Sequence, residues 1–330
     1  MQACGWYNHK YIQKHRTDSA SQSMAQGARM GVKDMQTLVR DQVHFAFSPD
    51  NVPGARAHSG DTVLFQCQDC YAGQLTEDGQ QMESMNMAHN NPATGPLYIE
   101  EAVPGDVLRV EILSIQIAKE GSMCAREGAG IYGVTGCHCR RFPVEGEEMV
   151  FDKDIRVPLR PMIGVIGVAP AEGSVPTTVP GEHGGNLDIR DMNEGAVLYL
   201  PVNVPGALLS MGDLHGVQGD GETVICALEV PGEVTVRVTV LKDRGDIPTP
   251  FLVTKDRYLT TAADPSLDVC SVKAARKMQK FLQDHAGLSS EQAGMLLSLT
   301  GNLRISQVVN PAKGCIMELP RGLAKENFTL

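Results

Sequence analysis

A chain of 330 residues, 42% of them hydrophobic, is long enough for one large domain or two ordinary ones. Its net charge of −10 and the absence of a basic run exclude a nucleic-acid surface and a polyanionic substrate, and leave small neutral ligands. No apolar run reaches the length of a membrane span, the N-terminus lacks the apolar core of a signal peptide, and nine cysteines form no regular framework, so reduced thiols and a cytoplasmic location are expected.

Residues 1–40 are polar and rich in Ser, Gln and Met, which predicts a flexible extension with Met24, Met30 and Met35 as alternative starts. From Gln42 the texture changes. The segments Val63-Leu64-Phe65, 108–115 and 234–240 alternate apolar and polar residues, the pattern of half-buried strands. Pro-Gly pairs at 53–54, 104–105, 180–181, 205–206 and 231–232 punctuate them as turns. A β-rich part is expected over 41–170 and a second, with polar loops and C-terminal helices, over 171–330. Ser271 to His285 reads as an amphipathic helix with Val272, Ala275, Met278 and Leu282 on its apolar side. Ser289 can cap a second helix, with Gln292 at the reciprocal capping-box position. The fold class predicted is mainly β (α+β), ending in a helical hairpin.

Two cysteine- and glycine-rich runs suggest chemistry weakly. Gly128-Ala129-Gly130-Ile131-Tyr132-Gly133 fits a dinucleotide fingerprint in spacing but lacks the preceding strand and the following helix, so a mobile loop is expected. Cys67-Gln68-Asp69-Cys70 with Cys137-His138-Cys139 could bind zinc, but the C-x-C half is poorly spaced for a tetrahedral site and ordinary thiols are expected. No G-x-S-x-G elbow is present.

The most informative run is Gly212-Asp213-Leu214-His215-Gly216-Val217-Gln218-Gly219-Asp220-Gly221-Glu222. On an extended strand Asp213 and His215 leave the same face. The glycines then let the backbone turn back, so that Glu222 can return to the same place. Upstream, Glu182-His183-Gly184-Gly185-Asn186-Leu187-Asp188 repeats the combination of His, Asn and Asp around glycines. Two such loops joined through the strand-like Val197 to Val204 can meet at one end of a sheet.

These blocks, with Pro161 to Pro170, Asn91-Pro92-Ala93-Thr94-Gly95-Pro96, Pro104-Gly105-Asp106 and Ser298 to Asn310, resemble the acetamidase/formamidase family from about His44 to Pro320. The resemblance implies a β-sandwich-like fold and formamide or acetamide as the substrate class. It also marks Asp69 as a candidate for the site wall and His44 as a candidate site residue. Chemistry then suggests a metal-assisted hydrolysis in which His183, Asp213 and His215 ligate a divalent metal, with Asp188 as a possible fourth ligand or a catalytic carboxylate. Glu222 is the expected general base and acid, and Asn186 and Gln218 the expected hydrogen-bonding groups for the substrate. Imidazole with carboxylate favours Zn²⁺, while the oxygen content leaves Ca²⁺ or Mn²⁺ open. The expected partners are a small amide and further copies of the same chain. Two alternatives stand: a lactamase or amidase for a larger or cyclic amide, and a non-catalytic β-rich module holding a structural metal.

Overall fold

The computed structural model describes residues 35–323, Phe328 and Leu330. Alternating sequences become strands where they were expected. Thr62–Cys67 alternates half-buried and buried side chains, and Val107–Ile117 and Gly232–Leu241 pair antiparallel along their lengths. They form the middle of a nine-stranded sheet in the order Gln36–Leu38, Thr62–Cys67, Gly232–Leu241, Val107–Ile117, Val197–Pro201, Phe251–Val253, Arg257–Asp264, Lys313–Pro320, Asn302–Gln307. Pro201 is the last residue of its strand, paired with Val107.

A second sheet has the order Gly184–Asn186, Met162–Gly167, Leu209–His215, Ala93–Ile99, Val43–His44, with Ala55–Ala57 also paired to Ala93–Ile99. Its central strands Met162–Gly167 and Leu209–His215 are buried throughout, as strands covered on both faces must be. Side chains of both sheets, among them Val63, Phe65, Val110 and Val236 from the first and Leu97, Ile163, Ile166 and Met211 from the second, share one hydrophobic core. This is the sandwich-like architecture expected. Strands from either side of residue 170 interleave in both sheets, and Gln36–Leu330 forms one compact unit.

Residues 1–34 of the expected extension lie outside the described residues. The remainder of that extension is not free of the fold. Gln36–Leu38 pairs parallel with Thr62–Cys67, and Leu38 is fully buried.

The helical hairpin is present as α1, Leu267–Ala286, and α2, Ser290–Thr300. Helix α1 starts earlier than expected because Ser266 caps it, accepting a hydrogen bond from Val269 N–H. Its buried face is Cys270, Ala274, Met278, Phe281 and Leu282, packed on the far end of the nine-stranded sheet. Val272, expected on that face, is 47% exposed; the stripe is rotated because Phe281 and Cys270, not Val272, meet the sheet. Ser289 and Gln292 make the expected capping box. No helix among the described residues is long and apolar enough to cross a membrane.

Candidate active site

The site is built on the strand Leu209–His215, held between Met162–Gly167 and Ala93–Ile99. Close backbone approach forces glycine at two points. A side chain at Gly212 would come within 2.1 Å of the Pro92 carbonyl oxygen. One at Gly164, on the neighbouring strand, would sit 2.8 Å from Asp188 Oδ1 and 2.9 Å from Asp213 Oδ2. A carboxylate from the strand Leu209–His215 and one from the segment after Gly184–Asn186 therefore converge over a residue with no side chain. Asp213 itself is left-handed at φ 54°, a conformation that Asp tolerates better than most residues.

His215 is the hub. Its Nδ1–H donates to Gln218 Oε1 at 2.8 Å, which leaves Nε2 facing the cluster. Nε2 lies 3.5 Å from Asp213 Oδ1 and 3.2 Å from Glu229 Oε2. An isolated antiparallel bridge between His215 and Glu229 brings the latter there. Potential ligand atoms of Asp188, His215 and Glu222 also lie within 4.8 Å of one another, as do those of Cys70, Asp213 and Glu229. So the glycine turn does return Glu222 to His215.

The surrounding amides orient these groups. Asn91 Nδ2 donates to Asp213 Oδ2 at 2.9 Å, Asn310 Nδ2 to Asp188 Oδ2 at 2.7 Å, and Ala227 N–H to Glu229 Oε1 at 2.9 Å. Each acid thus has one anchored oxygen. The others, Asp188 Oδ1, Asp213 Oδ1 and Glu229 Oε2, are buried without a hydrogen-bond partner, together with His215 Nε2 and Glu222 Oε2. Five such atoms in one place are uncommon, because an unpaired buried polar group is costly.

Burial and mutual repulsion set the protonation. Desolvation, then the neighbouring Glu229, raises Asp213 to about 6, and desolvation with Asp213 raises Asp188 to about 6. Glu222 is pushed well above the usual carboxylate range by burial and by Asp188. For His215, burial opposes protonation, but Glu229 and Asp213 outweigh it and hold the imidazole protonated well above its ordinary value. A divalent cation would relieve this arrangement. A tetrahedral zinc shell with bonds of about 2.0–2.1 Å spaces its donors about 3.3 Å apart. The separations from His215 Nε2 to the Asp213 and Glu229 oxygens fit that spacing.

The cluster opens on a cavity of 110 Å³ lined on its polar side by Asn91, Asn186, Asp213, Glu222, Glu229 and Asn310. Cys70, Tyr71, Cys124, Arg126 and Cys226 line it elsewhere.

The acetamidase/formamidase family model matches residues 32–174 and 169–325. The chain belongs to the acetamidase/formamidase family. It is 44% identical to an acetamidase of Bacillus halodurans, whose crystal structure aligns with a TM-score of 0.85 over 86% of this chain and 97% of that one. It is 27% identical over 264 residues to the formamidase of Methylophilus methylotrophus; the match takes in 61% of this chain and 65% of the formamidase, just under two thirds of that relative's length. A γ-lactamase from Delftia acidovorans shares the fold alone, at 19% identity and a TM-score of 0.60 over 89% of this chain and 95% of that one.

Within this acetamidase/formamidase fold the expected site residues divide. Asp188, Asp213, His215 and Glu222 come together, and Asn186 lines the cavity with its Oδ1 unpartnered. His183 does not join them. It packs edge-on against Phe47, its Nε2 is buried without a partner, and desolvation alone lowers it to about 4, with no carboxylate contributing. Gln218 holds His215 and donates to the Asp188 carbonyl oxygen at 2.8 Å, so it braces the site rather than facing the cavity. His44 pairs with Ser210 Oγ at 2.7 Å, and Asp69 Oδ1 accepts the Tyr71 and Gly73 N–H groups of a turn. Neither lines the cavity.

Glu229, Asn91, Asn310 and Gly164 were not anticipated. Asn91 and Asn310 stand in two of the blocks that carry the family resemblance, so their position was marked in sequence although their role was not. Glu229 follows an apolar run with no glycine to advertise it. The expectation of reduced thiols is corrected in one place: Cys124 and Cys139, opposite each other on the strands Glu120–Arg126 and Cys137–Glu145, are disulfide-bonded. Cys67 sits in the main core with its thiol on the Met211 carbonyl, away from Cys137 and Cys139, so the zinc arrangement weighed for those residues does not form. The loop 128–133 connects the disulfide-bonded strands and rests on the Glu222 segment, Ile131 N–H donating to the Thr223 carbonyl at 2.9 Å.

Proposed function

We propose that this chain hydrolyses small linear amides such as formamide and acetamide to the carboxylate and ammonia. The single observation behind this is the convergence of five buried acid and base groups, each with an unpartnered atom, beside a small cavity. The activities named for the acetamidase and formamidase relatives point the same way. At 110 Å³ the cavity is far below the about 300–1,000 Å³ of sites for drug-sized ligands, which favours a substrate of a few heavy atoms over a larger or cyclic amide.

His215 Nε2, Asp213 Oδ1 and Glu229 Oε2 are the groups that would hold a divalent cation, with Zn²⁺ the first candidate for an imidazole–carboxylate set. Such a cation, when bound, supplies charge to polarise the amide carbonyl and to acidify water. Glu222 takes the proton from the attacking water and delivers it to the departing nitrogen. Asp188 sits against Glu222, and two carboxyl groups that close keep a proton between them at neutral pH, so one can act as acid while the other acts as base. Asn186 Oδ1 accepts the substrate N–H and fixes which way the amide lies. Asn91, Asn310 and Gln218 keep the acids and the imidazole in register.

The test is ammonia release by purified protein from formamide, acetamide, a longer aliphatic amide and a γ-lactam. Turnover highest on the two smallest amides supports the reading. Preference for the lactam replaces the substrate class. No release from any amide, in protein carrying its full metal, leaves the non-catalytic metal-holding module as the account.

A further inference from the structure

Cys70, Cys124 and Cys226 line the cavity, Cys137 and Cys139 pack with Cys70 and Cys124 in one small cluster, and three of these five are disposed as a ligand set. Cys137 and Cys139 are two apart on one strand, so both side chains leave the same face. Cys124 is the direct cross-strand partner of Cys139. The sulfurs of all three lie within 4.8 Å of one another, with Cys137 and Cys139 at 3.8 Å. Zinc–thiolate bonds of about 2.3 Å place neighbouring sulfurs about 3.8 Å apart. Leu75 and Met85 pack over the group, and Cys137 reaches solvent, which gives a cation a way in. His138 points elsewhere, its Nε2 on the Thr135 carbonyl.

We propose that Cys124, Cys137 and Cys139 form a redox-gated site for a soft d¹⁰ cation. In the oxidised chain two of the three sulfurs are tied up in the Cys124–Cys139 bond and only Cys137 is free. A dithiol reductant breaks that bond: it gives up two electrons and two protons, becomes a cyclic disulfide, and leaves two thiols on the protein. Binding of a divalent cation by the three thiols then releases three protons. Soft thiolates select Zn²⁺, Cd²⁺ or Cu⁺ over Mg²⁺, Ca²⁺ or Mn²⁺, so this site and the oxygen-rich carboxylate cluster differ in the metals they prefer. The two are also linked. Cys226 Sγ is hydrogen-bonded to both the N–H and the C=O of Cys124 at 3.2 Å, and Cys226 ends the segment that begins at Glu222.

The test is titration of dithiol-reduced and oxidised full-length protein with Cd²⁺, read by the ultraviolet thiolate-to-Cd²⁺ charge-transfer band. Carboxylate and imidazole ligands give no such band, and a cation that takes the Cys70 thiolate beside Asp213 and Glu229 is told apart by Cys70→Ser. We expect a band saturating at about one Cd²⁺ per chain in reduced protein and none in oxidised protein. Cys137→Ser should weaken the binding at least tenfold while still forming the disulfide, and Cys70→Ser and Cys226→Ser should keep the band. A reduced wild-type chain without the band, an oxidised chain with it, or a band that saturates in Cys137→Ser at the same Cd²⁺ concentration as in the wild type overturns the proposal. So does a band lost in Cys70→Ser, which would assign the thiolate to the carboxylate cluster. The comparison of oxidation states needs no variant and stands even where a substitution fails to fold.

Discussion

His183 and His215 lie in two runs of nearly the same composition, and both are buried, yet they end in opposite electrostatic states. His215 faces two carboxylates and is held protonated; His183 faces a phenylalanine ring and is held neutral, lowered to about 4 by desolvation. The difference arises from backbone placement. His215 ends a fully buried strand whose neighbours deliver Glu229 and Asp188, whereas His183 precedes the Gly184–Asn186 strand at the edge of the same sheet. Residue type offers both as candidate ligands, and register brings only His215 to the carboxylates.

The largest expected effects lie on the His215 side. Glu222→Gln keeps size and hydrogen bonding but removes the base; amide turnover should fall by about two to four orders of magnitude with metal content near normal. His215→Ala should lose metal and activity together. Near-normal ammonia release by Glu222→Gln excludes it as the base, and loss of metal in that variant makes it a ligand. His183→Asn is the counterpart: metal content should stay at the wild-type level, and metal loss there would erase the contrast between the two histidines.

A smaller effect should follow from filling the space beneath the carboxylates. In Gly164→Ala the new methyl must displace Asp188 or Asp213. Misplacement of reacting groups by about 1 Å costs on the order of a hundredfold, so kcat should drop by about that factor in a chain whose far-ultraviolet spectrum is unchanged. Wild-type kcat would mean that these two oxygens need not converge.

The strands and the capping box were legible because alternation and cap chemistry are local. Asp213, His215 and Glu222 were legible for the same reason, within one eleven-residue run. Glu229, Asn91 and Asn310 reach the site only through sheet register and long connections, which no local pattern encodes. The direction of His183 is not legible in the sequence because the two glycines that follow it, Gly184 and Gly185 at φ 95° and 87°, take backbone conformations that no local pattern encodes.

His183 and the aspartates around His215 also predict opposite pH dependence of stability. The folded state keeps His183 neutral down to about 4, below its ordinary 6.5, so the unfolded chain binds more protons between those values. Stability from this group is complete above about pH 6.5 and is lost as pH falls through the window. His183→Asn should therefore shrink the acid-induced loss of stability between pH 6.5 and 4 by up to about 3 kcal/mol in urea melts. Asp213 and Asp188, raised to about 6, act the other way in metal-free protein: the folded state binds more protons between about 4 and 6, and stability falls as pH rises. Adding metal should remove that slope. An unchanged profile in His183→Asn would show that its burial carries no proton linkage.

The smallest effect is expected at the N-terminus. A chain beginning at Met35 retains the strand Gln36–Leu38 and the buried Leu38, and should fold and release ammonia at close to the full-length rate. An insoluble or inactive product would place the preceding residues in the fold or the assembly.

The carboxylate cluster around His215, as we propose it, hydrolyses amides only with metal bound. The direct measurement is ammonia release from acetamide and formamide by oxidised protein, alongside divalent metal per chain, before chelation, after it, and after metal is restored. About one metal per chain, loss of release on chelation and recovery on restoration are expected. Full ammonia release by metal-free protein would contradict the proposal.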